Sequence, residues 1–143
     1  LNIRYLESVR EKEGGSYGVG VRGSIDNKPI EDAILMIQFD TDPEKQPKMI
    51  SIIYDEINNI IANGPRKDDV QKVKETMLKK YAEDVENNGW WQNAIYLYYQ
   101  DHLNLVTDYK SSVEEVTPLF IQTTLKKLVD QNNVIEVIMM PKE

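Results

Sequence analysis

The chain has 143 residues, 41% of them hydrophobic and 29% charged, which suffices for one domain around one core. Its net charge of -7 lacks the cationic surface that nucleic acids and anionic membranes require, so neither is expected as a partner. The absence of cysteine rules out disulfides and thiolate metal sites, and the lone histidine, His102, falls short of the two or three that a catalytic zinc usually takes.

Ile3, Leu6 and Val9 recur at helical spacing, so residues Asn2 to Lys12 are expected to be a helix, stopped by Gly14-Gly15. Leu1 to Val9 read as the middle of an element, which suggests a piece of a longer protein. From Ser16 the period changes. Tyr17, Val19, Val21 and Ile25 alternate with Gly18, Gly20, Arg22 and Ser24, which predicts a strand. Asp26-Asn27-Lys28-Pro29 predicts a turn, and Ala33 to Phe39 a second strand that pairs with the first as an antiparallel hairpin.

Helices follow. Lys48 to Ala62 carries Ile50, Ile53, Tyr54, Ile57, Ile60 and Ile61 on one broad face and closes at Asn63-Gly64. Pro65 opens the next helix, with Asp68 and Asp69 at its positive end and a stripe of Val70, Val73, Met77, Tyr81 and Val85. Asn87-Asn88-Gly89 breaks it, and Trp90 to Leu103 is helical again. Ser111 and Glu114 have the spacing of a capping box for a short helix. Thr117-Pro118 starts a last helix that runs to about Val129, and Val134 to Met140 reads as a closing apolar strand. The order predicts an α+β fold, a mostly antiparallel sheet with helices packed on one face.

Gly18-Val19-Gly20-Val21-Arg22-Gly23 spells G-x-G-x-x-G, and Asp40 lies roughly where a ribose-binding acid would stand. A dinucleotide site needs a helix opening on those glycines. Here they fall inside a strand and a turn follows. They are better read as a strand face stripped of side chains, open to the close approach of a helix or another backbone.

Arg10, at the end of the first helix, precedes Tyr17 by seven residues, and Gly14-Gly15 between them lets the chain reverse. Both side chains are hydrogen-bond donors, and together they can bind a carbonyl oxygen and its developing oxyanion. The plainer alternative pairs Arg10 with Glu7 or Glu13 and puts Tyr17 in the core. Trp90-Trp91 is expected to pack between helices, and Glu114-Glu115 to face solvent.

The segment "VREKEGGSYGVGV" resembles the "R-E-x-x-G-x-x-Y" pattern in the C-terminal half of zinc peptidases of the insulinase/pitrilysin family. "NGPRKDDVQKVKETMLKKYAEDVENNGWWQNAIYLYYQ" resembles a later stretch of that family, and "VIEVIMMPKE" resembles its closing strand. The resemblance implies a processing-peptidase-like α+β domain, residues 1–143 forming the C-terminal part of a larger multidomain zinc peptidase. It implies that Arg10 and Tyr17 bind the substrate and its transition state. The family's zinc motif, an inverted H-x-x-E-H, does not occur here. Zinc and the water chemistry would therefore come from an N-terminal zinc-binding domain of the same protein, with a peptide as substrate and the isolated segment inactive. Relatives without catalysis make a non-catalytic structural or substrate-binding domain the alternative. The resemblance leans towards a periplasmic location, with the cytoplasm as alternative. A sheet lacking neighbouring strands would leave an apolar edge and promote self-association.

Overall fold

The computed structural model describes residues 1–11 and 19–140, with the backbone alone at residues 10 and 11. The expectations for Gly14-Gly15 and Tyr17 lie outside the described residues. The described chain divides into two compact units, Leu1–Asn63 with Gln122–Glu143, and Gly64–Ile121.

The first unit opens with helix α1 (Asn2–Tyr5), which continues as a π-helix over Leu6–Glu11. Strands β1 (Val19–Asp26) and β2 (Asp32–Phe39) form an antiparallel hairpin in which Val21 faces Ile37 and Arg22 faces Met36. The alternation read from the sequence sorts the residues as expected. Val19, Val21, Leu35, Ile37 and Phe39 pack on the core, while Gly20, Arg22, Met36 and Gln38 lie on the other face. A short 3-10 turn (Pro43–Lys45) leads into α2 (Gln46–Asn63), whose Met49, Ile53, Ile57 and Ile60 are buried against Tyr5, Val9 and Leu125. Gly64 ends it with φ of 76°, a left-handed conformation that a side chain disfavours.

In the second unit, α3 (Lys67–Asp84) carries Asp68 and Asp69 in its first turn. Its buried face is rotated from the one expected. Val70 and Tyr81 are buried, Lys74, Leu78 and Val85 are half-buried, and Val73 and Met77 are exposed. Lys74 explains part of the rotation: its ammonium donates to the Glu114 carbonyl at 2.7 Å, so its stem covers apolar surface where α3 meets α5 (Tyr109–Glu115). Helix α4 (Asn88–Asp101) begins where the break was expected, because the Asn87 side chain accepts from the Gly89 amide at 2.7 Å. Tyr81 is the hub of this unit. Its ring stacks on Tyr109 at 4.7 Å and meets Trp90 edge-on at 5.6 Å, and its hydroxyl donates to the Val106 carbonyl. Trp90 is half-buried and packs as expected, while Trp91, whose indole N–H donates to the Val85 carbonyl at 2.8 Å, is 42% exposed.

Two further expectations fail. The helix α5 starts two residues ahead of Ser111, with Asp108 before it. The Ser111 hydroxyl donates to the Asp108 carbonyl at 3.0 Å, so no capping box forms with Glu114. Helix α6 (Pro118–Asp130) does start on a cap, Thr117 Oγ1 accepting from the Phe120 amide. Beyond it, residues 134–140 form no strand. Their apolar side chains are exposed, and an apolar run without a ladder of hydrogen bonds to a partner is not a strand. One tether is Tyr54, whose hydroxyl donates to Glu136 Oε2 at 3.3 Å. Burial, then the Glu136 carboxylate, raises the Tyr54 pKa. With only β1 and β2 in the described sheet, the architecture is nonetheless α+β, as expected.

Candidate functional site

The element that carries Arg10 is anchored residue by residue. Tyr5 and Val9, one helical turn apart, are wholly buried. The Tyr5 hydroxyl donates to the Ile53 carbonyl at 3.1 Å. Burial first, and the Glu56 carboxylate second, raise the Tyr5 pKa far above its ordinary value, so it remains a neutral donor. Arg4 Nε donates to Glu56 Oε2 at 2.9 Å in a part-buried ion pair, and Ser8 Oγ donates to the Arg4 carbonyl. At the start of the helix, Asn2 Oδ1 accepts from the Val21 amide at 3.1 Å, which ties it to β1. None of these anchors was singled out in the sequence. Only the helical spacing of Val9 hinted at them.

Arg10 follows Val9 inside the π-helical segment Leu6–Glu11. Such i to i+5 turns are rare and concentrate at functional sites, because the wider turn rotates the residues that follow. The Arg10 side chain and the whole of Tyr17 lie outside the described residues, so their convergence remains an expectation. The glycine string is settled where it is described. Gly20 and Gly23 lie within β1, which leads through a turn into β2 rather than into a helix, so the dinucleotide geometry is absent. Asp40 follows β2 on the outer side of the hairpin, where Gly20, Arg22, Met36, Gln38, Phe39 and Asp40 line a shallow cleft of about 200 Å³.

Among the described residues, no group of three or more His, Asp or Glu side chains is placed to hold a metal ion. His102 is exposed and ends α4 in the left-handed conformation, φ 58°. Glu114 and Glu115 are exposed, as expected. No helix is long and apolar enough to cross a membrane among the described residues.

This arrangement, a helix tied to an antiparallel hairpin and followed by helices, is shared with solved structures. A conserved protein from Enterococcus faecalis superposes with a TM-score of 0.72 at 23% identity, over 87% of this chain and 28% of that one. The periplasmic protease PqqL from Escherichia coli superposes with a TM-score of 0.70 at 16% identity, over 88% of this chain and 14% of that one. Residues 1–77, more than half of the chain, match the family described as the peptidase M16 inactive domain. The chain belongs to the peptidase M16 family, as a domain of its C-terminal, inactive type. It is 24% identical over 108 residues to a zinc protease PQQL-like protein of Arabidopsis thaliana, covering 72% of this chain and 11% of that protein. The chain thus spans a small part of each relative's length.

Proposed function

We propose that residues 1–143 act as one C-terminal domain of a zinc-dependent endopeptidase, closing a peptide chamber against an N-terminal zinc-binding domain of the same protein. In this reading Arg10 and Tyr17 reach the scissile peptide and donate to its carbonyl oxygen as negative charge develops there. Zinc, held by the other domain, supplies the activated water. The observation that carries the reading is the match over residues 1–77, which contains "R-E-x-x-G-x-x-Y" with Arg10 and Tyr17 at its ends. The anchored π turn beneath Arg10 supports it, since a donor that stabilises a transition state must be held in place before the reaction. A periplasmic site is favoured by the Escherichia coli neighbour, with the cytoplasm as alternative.

The description of the matched family as an inactive domain also fits a second reading, a scaffold in a protein without catalysis. The sequence upstream separates the two: an H-x-x-E-H motif favours the enzyme. For the first reading, the test is kcat/KM of the full-length protein on a peptide substrate. Arg10→Ala and Tyr17→Phe each lower it by about tenfold or more. Wild-type rates in both variants sink the assignment.

A further inference from the structure

The hairpin's outer face carries a feature that the fold does not require. Gly20, the second residue of β1 and paired with Gln38, has no positive φ, and a Cβ there would meet only the Gln38 carbonyl oxygen, at 3.8 Å, an ordinary contact. Packing therefore tolerates a side chain at this position. A glycine paired within a strand leaves a gap on the sheet face, the kind of place where a ligand or another backbone can approach closely. The missing side chain opens the floor of the cleft lined by Gly20, Arg22, Met36, Gln38, Phe39 and Asp40. Arg22 is exposed at one end, and among the described residues its guanidinium has no partner. Asp40 is exposed at the other end. Arg22 stands opposite Met36, and Asp40 lies four residues beyond Met36, so the two residues' backbone positions are about 13 Å apart along the strand. Between them Gln38 offers an amide, and Met36 beside Arg22 a flexible apolar side chain.

We propose that this cleft binds an extended peptide segment, its backbone lying over Gly20, an acidic side chain meeting Arg22 and a basic one meeting Asp40. An extended peptide has the same rise per residue as β2, so the complementary charges stand about four residues apart. The proposal rests on the peptidase reading for its natural ligand, a stretch of substrate away from the scissile bond, and it makes Arg22 and Asp40 specificity-determining residues.

The test uses the full-length protein with turnover blocked by a chelator. The probes are fluorescein-labelled nonapeptides of Ala, Ser and Thr carrying Glu and Lys four positions apart, in either order, against the same peptide with Gln at both places. At low salt, one charged peptide binds about tenfold more tightly than the Gln peptide. Arg22→Gln lowers that difference to about threefold, and Gly20→Val weakens all the peptides about tenfold. Valine suits a strand, and Arg22 is exposed, so neither variant threatens folding. Equal affinity for charged and Gln peptides, or either variant behaving as wild type, overturns the proposal. Catalysis plays no part in this readout. Normal rates in Arg10→Ala and Tyr17→Phe would therefore leave the cleft standing, and an unoccupied cleft would leave those two assignments standing.

Discussion

At the scale of single residues, Tyr5 does more for the candidate site than its place in the sequence suggests. It fills the core and tethers the first helix to α2 through the Ile53 carbonyl. Tyr5→Phe keeps the ring and removes one buried hydrogen bond, a loss of about 1 kcal/mol in a denaturant titration at pH 7. The sign of the pH dependence follows from its raised pKa. Below about pH 10 both folded and unfolded tyrosine hold the proton, and the stabilisation is intact. Above it the unfolded chain releases the proton first, so stability falls. The advantage of wild type over Tyr5→Phe therefore shrinks as pH rises beyond about 10. An advantage that is constant from pH 7 to 11 contradicts the buried, neutral phenol. Gly64 gives a second residue-scale prediction. Its φ of 76° makes Gly64→Ala cost about 1 kcal/mol, read as a lower midpoint.

At the scale of elements, the hairpin and the segment 134–140 expose apolar surface that nothing in the described chain covers. Ile25, just before the hairpin turn, and Ile30, within it, are 76% exposed each, and Ile135, Val137 and Met139 are exposed beyond α6. The outer edges of β1 and β2 have no strand beside them in the described sheet. The isolated chain is expected to self-associate. Light scattering should show mass rising with concentration, and Ile135→Lys with Val137→Lys should lower it. A clean monomer at high concentration contradicts this. The same elements mark what the sequence made legible. Period-2 alternation identified the hairpin and its buried face because each strand's partner is close in sequence. The apolar run at 134–140 misled because pairing depends on a partner strand that composition does not supply. In α3 the stripe was displaced because Lys74 covers apolar surface with its stem, which a hydrophobic count overlooks. The Ser111 cap failed because the helix starts at Tyr109, putting Ser111 within its first turn.

At the scale of the whole molecule, the chain is one domain type of a peptidase family and a small fraction of the relatives it matches. The family was legible because three motifs occur in order along the chain, while any one of them alone is weak. Arg10 and Tyr17 stood out in the sequence as hydrogen-bond donors and by the family resemblance, and their role is the proposal above. The helix anchors and the cleft on the hairpin did not stand out, because both arise from burial and from a side chain that is missing. If Arg10 and Tyr17 serve one oxyanion, they act as a unit and their contributions are not additive. The most direct measurement is single-turnover cleavage of a peptide by the full-length zinc-loaded protein and its Arg10→Ala, Tyr17→Phe and double variants. The account predicts that each single variant slows the step about tenfold or more, and that the double variant is little slower than the worse single. Wild-type rates in the double variant would contradict it.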